Sequence, residues 1–125
     1  MRFLMYLIIM VSLFNDLDYG QDYEWRTIAS FSGSSNTNTD DIVIKAKKWR
    51  LVWQAKKQYQ EAYGGNFIVI LHDENDDKDL LVNTMPNDYG QTIVRKKGVF
   101  YLEVQSVIVN WTIEVQEYSK VLPPK

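Results

Sequence analysis

The sequence predicts an all-β fold, an antiparallel β-sandwich of about eight strands, on two observations. From Glu24 onward, apolar residues recur at every second position, which is the spacing of strands with one buried face. Short polar segments rich in Gly, Ser, Asn and Asp separate these apolar runs, as turns do between consecutive strands. Alternation alone fits either two packed sheets or one sheet closed on itself.

Four runs alternate most clearly, and they begin near Trp49, Phe67, Phe100 and Trp111. The run at Phe67 is apolar on both faces, so we expect it to lie in the middle of a sheet. The inward faces of the four runs supply the predicted core: Trp49, Leu51, Trp53, Phe67, Val69, Phe100, Leu102, Trp111 and Ile113. Weaker strands are predicted over 25–31, 42–46, 80–84 and 92–95.

The segments between these runs carry turn-forming residues. Residues 32–41 are predicted to form a polar loop, and 64–66 and 86–90 to form turns. Gly98 is expected at a tight turn, where a residue without a Cβ is favoured. Residues 56–63 show no clear period and receive no assignment. The sandwich domain is therefore predicted over 21–119, and the proline-containing residues 120–125 are predicted to be a disordered tail.

Composition and charge narrow the classes of function. The formal net charge of −2 provides no overall positive field for phosphates, so nucleic acid is a poor candidate partner. Basic clusters at 45–50 and 95–97 are interpreted as solvated faces of strands. The absence of cysteine excludes disulfides, thiolate metal sites and thiol nucleophiles.

Residues 1–20 are predicted to be a signal peptide. Arg2 precedes an apolar run over 4–14 that only Ser12 interrupts. A helix of that length covers about 16 Å, which is too short to cross a membrane. The Gly20–Gln21 junction resembles processing sites of exported bacterial proteins, although Asp18 stands where a small residue is expected. We therefore expect a secreted or periplasmic protein without a membrane span after signal removal; the alternative is a buried first strand or helix.

The order of core and turn residues also resembles a family. The chain is similar to small exported bacterial β-sandwich domains of uncharacterised function. The similarity rests on the order Trp49-x-Leu-x-Trp53, Gly65-Asn-Phe-Ile-Val69, an acidic hairpin, the run from Gly98 to Ser106 and Trp111-Thr-Ile-x-Val115. The pattern is also similar to pre-peptidase C-terminal and carbohydrate-binding jelly-roll domains. This resemblance covers about residues 25–115 and implies a jelly-roll-like sandwich.

An acidic segment over 73–79 is the candidate metal site. It carries four oxygen-bearing side chains at every second position: Asp73, Asn75, Asp77 and Asp79. An EF-hand loop needs Gly at its sixth position and Glu at its twelfth, whereas Lys78 and Thr84 stand there. We therefore predict a solvated hairpin, no required cofactor and at most weak calcium binding.

The single histidine, His72, gives no support to a Ser-His-Asp triad and is interpreted as a surface or hydrogen-bonded residue. Aromatic side chains are abundant, and such rings can stack on sugars. The candidates for ligand contact lie at strand ends or in loops: Trp25, Tyr59, Tyr63 and Tyr89.

These observations favour a non-catalytic exported module of the cell envelope or extracellular space. It would act through protein contacts or as a structural accessory, and the alternative is a carbohydrate-binding module that uses exposed aromatic residues. A hydrolase ranks third, because a short chain with one histidine leaves little room for a catalytic cleft. A planar row of exposed aromatic rings would favour the sugar ligand, and scattered rings the protein partner.

Overall fold

The computed structural model describes residues 22–122, and these form nine strands and no helix. The strands are β1 Tyr23–Gly33, β2 Thr37–Asn38, β3 Ile42–Ile44, β4 Trp49–Lys57, β5 Asn66–Asp73, β6 Lys78–Thr84, β7 Asp88–Val94, β8 Gly98–Val107 and β9 Val109–Lys120. No helix among the described residues is long or apolar enough to cross a membrane. The predicted signal peptide, 1–20, lies outside the described residues, as do residues 123–125 of the predicted tail.

The contacts between residues divide the chain into two compact units. The larger is Trp25–Tyr118, which contains the core and the candidate site. The described part of the smaller unit is 22–24 with 119–122, in which the Val121 N–H donates to the Asp22 carbonyl at 2.9 Å.

Two antiparallel sheets build the sandwich. The four-stranded sheet has the order β1-β9-β4-β7, and the five-stranded sheet has β2-β8-β5-β6 with β3 also paired to β8. The pairs are nested: the β5–β6 hairpin is innermost, followed by β4 with β7, then β2 and β3 with β8, and β1 with β9 outermost. Nested antiparallel pairs that wrap across two sheets are the jelly-roll order, so the predicted all-β sandwich of the jelly-roll type is confirmed.

The core lies between the inward faces of the two sheets. Every residue of the predicted core is buried except Trp53, which is partly buried. Phe67 lies between two tryptophan rings, with its centroid 6.2 Å from that of Trp111 and 6.0 Å from that of Trp53. The prediction that the Phe67 strand is central is also confirmed, because β5 pairs with β8 on one side and β6 on the other.

Three local predictions need correction. Trp53 is only partly buried: it pairs with Gly90 of the edge strand β7, and its ring lies so close to this glycine that a Cβ there would be 2.9 Å from Trp53 Cζ2. The predicted turn 86–90 is shorter, since β7 already begins at Asp88. The predicted polar loop 32–41 contains β2, whose Asn38 pairs with Glu103. Gly98, with a φ of 139°, begins β8.

Candidate binding face on the four-stranded sheet

Strand alternation places polar side chains on the outer face of the four-stranded sheet, which we call the binding face. Along β4, the side chains between the core positions point outward: Arg50, Val52, Gln54 and Lys56. The register pairs each of them with an outward residue of β9, which are Gln116, Glu114, Thr112 and Asn110 in that order. On the other side of β4, Tyr89 and Gln91 of β7 pair with Gln54 and Val52. The binding face thus consists of rows of paired side chains, most of them polar, that run across β7, β4 and β9.

Two open depressions lie along these rows and adjoin each other. Their volumes are about 490 Å³ and 400 Å³, and they share Ser32, Gln54 and Thr112 as lining residues. Small residues at the end of β1, which are Ser30, Ser32 and Gly33, and Thr112 of β9 leave room for these depressions. The other polar lining residues are Ser30, Ser34, Lys56, Asn110, Glu114 and Tyr89, and the apolar lining residues are Phe31, Val52, Trp53, Trp111 and Ile113.

A hydrogen-bonded network fixes the polar side chains next to the larger depression. Glu114 accepts from the Thr27 hydroxyl at 3.1 Å and from the Gln116 amide at 2.5 Å. Arg50 Nε donates to Gln116 Oε1 at 2.7 Å, and Arg50 Nη1 donates to Gln91 Oε1 at 2.7 Å. Because each side chain holds the next, this part of the face is ordered before any ligand arrives.

The four aromatic residues predicted to contact a ligand are not brought together in one row. Tyr89 lines the larger depression and is 78% exposed. Trp25 lies further along the same face, with its ring centroid 4.9 Å from that of Tyr118. Tyr59 and Tyr63 lie on the connection from β4 to β5 and are exposed. Ligand contact by these four residues stays a prediction.

The polar residues of the depressions were not singled out from the sequence. Thr112, Gln54 and Ser32 occupy outward positions of strands, where polar side chains are ordinary. The sequence held only a weak indication of this groove. It consists of serine residues at the end of β1 and amide side chains on other strands. Only the register between strands shows that they share a groove.

The acidic segment forms a turn between β5 and β6 whose carboxylates serve different partners. Asp73 Oδ1 accepts the backbone N–H groups of Asn75 at 2.8 Å and Asp77 at 3.0 Å. Lys96 Nζ lies 2.6 Å from Asp79 Oδ2, and the hydrogen bond that Lys96 donates to this carboxylate raises the pKa of Lys96. Within residues 22–122 no group of three or more acidic or histidine side chains is arranged to hold a metal. Calcium binding here stays a prediction to be tested.

His72 lies on the five-stranded sheet and is buried, with 8% exposed. Its ring stacks on Tyr101 at 4.5 Å, and its Nε2 lies 2.8 Å from Glu103 Oε1. Glu103 Oε2 accepts from the Gln105 amide at 2.7 Å. The hydrogen bonds from Gln105 and His72 lower the pKa of the Glu103 carboxyl. This cluster fits the interpretation of His72 as a hydrogen-bonded residue.

No protein-family model matches the chain, and the search of curated proteins found no significant match.

Proposed function

We propose that this chain is a non-catalytic binding module that takes an extended glycan across the binding face. The observation that carries the proposal is the pair of joined depressions, in which hydroxyl and amide side chains lie beside apolar ones such as Val52 and Trp53, with the exposed ring of Tyr89 at one side. Export to the periplasm or the outside of a bacterial cell belongs to the same proposal. It rests on residues 1–20, and such a location would bring the face to envelope or extracellular polysaccharides.

The chemistry of the lining favours a sugar over a charged small molecule. Sugar hydroxyls both donate and accept hydrogen bonds, and Ser32, Thr112 and Gln54 can also do both. The Tyr89 ring provides an apolar surface on which the C–H face of a pyranose can stack. An open groove suits the middle of a polymer, since both ends of the ligand can continue beyond the sheet.

The arrangement supports binding rather than cleavage. Glu114 is the one carboxylate on the described part of the binding face, and Thr27 and Gln116 both donate hydrogen bonds to it. Most glycoside hydrolases act through two carboxyl groups placed on either side of the scissile bond. Glu114 is therefore assigned an orienting role toward sugar hydroxyls.

Binding to a panel of polysaccharides tests this function: cellulose, xylan, chitin, starch and polygalacturonate. Thr112→Tyr fills the floor of the groove, and because Thr112 is exposed on a strand the fold tolerates this change. We expect wild type to bind one of these polymers and Thr112→Tyr to lose at least about tenfold in affinity. Tyr89→Ala should weaken binding by about 1–3 kcal/mol, in the range seen for aromatic stacking on planar ligands.

The matched control is Asn83→Tyr, which adds the same ring to an exposed strand position on the five-stranded sheet. Its binding should equal that of wild type. Tyr63→Ala tests whether the ligand contacts the connection between β4 and β5 instead of the groove. An equal loss in Tyr63→Ala and Tyr89→Ala would move the site toward that connection.

Protein contact, the first interpretation from the sequence, remains the second candidate because of Leu80. This residue is 61% exposed on the edge strand β6, directly across from Ile70 on the five-stranded sheet. Exposed apolar side chains on an edge strand favour contact with another protein. Ile28 of β1 and Ile93 of β7, which are also exposed apolar residues on edge strands, lie on the other sheet, so Leu80 has no such neighbour on its own edge strand. It carries less than the two joined depressions, and the glycan is preferred.

A further inference from the structure

One end of the binding face combines two cations with two aromatic rings. The guanidinium carbon of Arg50 lies 4.1 Å from the centre of the Trp25 ring, and Lys48 Nζ lies 4.3 Å from the centre of the Tyr118 ring. The two rings are themselves 4.9 Å apart. Cations over aromatic rings are held in place by the negative potential of the ring face, so both groups have defined positions.

Arg50 retains hydrogen-bonding capacity after its contacts within the protein. A guanidinium carries five N–H donors, and the described contacts use Nε toward Gln116 and Nη1 toward Gln91. Both acceptors are neutral amide oxygens. Within residues 22–122, neither Arg50 nor Lys48 forms an ion pair with a carboxylate. The charge of each cation is therefore not neutralised by the described part of the chain.

The charge of the face opposes that of the whole protein. The described outward side chains at this sheet include Lys48, Arg50 and Lys56 against the single carboxylate of Glu114. The chain as a whole carries a formal net charge of −2. Lys48 and Arg50 stand two residues apart, about 7 Å along the strand direction, where like charges repel. An anion placed between them would remove this repulsion.

We propose that Lys48 and Arg50 hold the carboxylate of an acidic sugar, so that the glycan on the binding face is a polyuronate; this rests on the glycan-binding function proposed above. The planar fork of a guanidinium matches the two oxygens of a carboxylate, and the ammonium adds a second positive charge. Trp25 holds the Arg50 plane, while Gln91 and Gln116 fix its rotation. The depressions bind the sugar hydroxyls, and the cationic end selects the acidic polymer.

Polygalacturonate and its methyl ester are the matched probes, because esterification removes the charge and keeps the sugar backbone. We expect wild type to bind polygalacturonate at least about tenfold tighter than the ester at low salt, as one or two charge-assisted hydrogen bonds provide. The preference should shrink as ionic strength rises. The double variant Lys48→Gln with Arg50→Gln should bind both polymers equally, at the affinity of wild type for the ester.

Two further variants control for position and fold. Lys97→Gln removes one charge from the exposed connection between β7 and β8, and it should keep the preference. Arg50→Lys keeps the charge and loses the planar fork, so it should retain only part of the preference. If the double variant unfolds, the Arg50→Lys comparison alone decides: an unchanged preference overturns the assignment.

The outcomes separate this inference from the proposed function. Equal binding of both polymers by wild type, abolished by Thr112→Tyr, overturns the acidic-sugar assignment and leaves the glycan function standing. Binding of a neutral polysaccharide but not of polygalacturonate has the same meaning. Binding of polygalacturonate that Thr112→Tyr does not change overturns the proposed groove and with it this inference.

Discussion

Trp111 has its side chain almost completely enclosed between the two sheets, with 2% exposed. Its ring stacks on Phe67, and its Nε1 donates to the Ser35 carbonyl at 3.3 Å. We expect Trp111→Ala to lower the free energy of unfolding by about 3–5 kcal/mol, through lost burial and the cavity left behind. Urea unfolding measures this change. Trp25→Ala, on the outer face, is the comparison and should cost clearly less; equal losses would contradict the placement of the two rings.

Glu103 makes a pH-dependent contribution whose sign follows from its hydrogen bonds. Gln105 and His72 lower the pKa of its carboxyl in the folded state. Its contribution to stability is therefore fully present above the unfolded pKa of about 4.3 and is lost as the pH falls through the lowered folded pKa. Glu103→Gln should destabilise the protein at neutral pH, and the difference from wild type should shrink in acid below about pH 4. A difference that is constant with pH in urea unfolding would contradict this assignment.

Burial of individual residues could be predicted from alternation, but close contacts between strands could not. Trp53 has the same phase as Trp49 and Leu51, yet it is only partly buried, and its ring packs against Gly90 of an edge strand. Gly33 makes the same kind of contact: a Cβ there would lie 2.7 Å from Trp111 Cζ2, so the residue must be glycine for the ring to fit. Neither contact has a local signal in the sequence, since each joins residues distant along the chain.

At the scale of elements, the β5–β6 hairpin explains why its carboxylates do not converge. Asp73 accepts two backbone N–H groups of the turn, and Asp79 pairs with Lys96. We expect calorimetry with calcium to show at most weak binding, because Ca²⁺ requires six to eight oxygen ligands around one point. Asp77→Ala is the matched variant. Tight binding in wild type that disappears in Asp77→Ala would contradict the hairpin interpretation.

The alternating pattern predicted where the long strands lie, but it did not predict where strands begin and end. β4, β5, β8 and β9 were predicted from their apolar spacing, which burial on one face enforces. β2 has two residues within a polar loop, and its pairing with β8 depends on backbone hydrogen bonds that no side-chain pattern shows. β7 begins earlier than predicted for the same reason: Asp88 pairs with Ala55 although 86–90 has the composition of a turn.

For the whole molecule, the sequence predicted two packed sheets. The structure adds the nested strand order, which brings the polar side chains of different strands side by side. Gln54, Thr112 and Ser32 are far apart in the chain, and they meet because β1, β9 and β4 are neighbours in one sheet. The candidate face therefore depends on topology and register, which periodicity does not determine. This is why the sequence pointed to exposed aromatic residues and missed the hydroxyl and amide groups between them.

The central claim is that ligands bind on the outer face of the four-stranded sheet. Amide NMR spectra of the protein, recorded while a short oligogalacturonate is added, test it most directly because they locate the contact without mutation. We predict that shifts concentrate on outward residues of β4 and β9 and around Tyr89, and leave the His72–Glu103 cluster unchanged. Shifts centred on the five-stranded sheet or on the β5–β6 hairpin would contradict the claim.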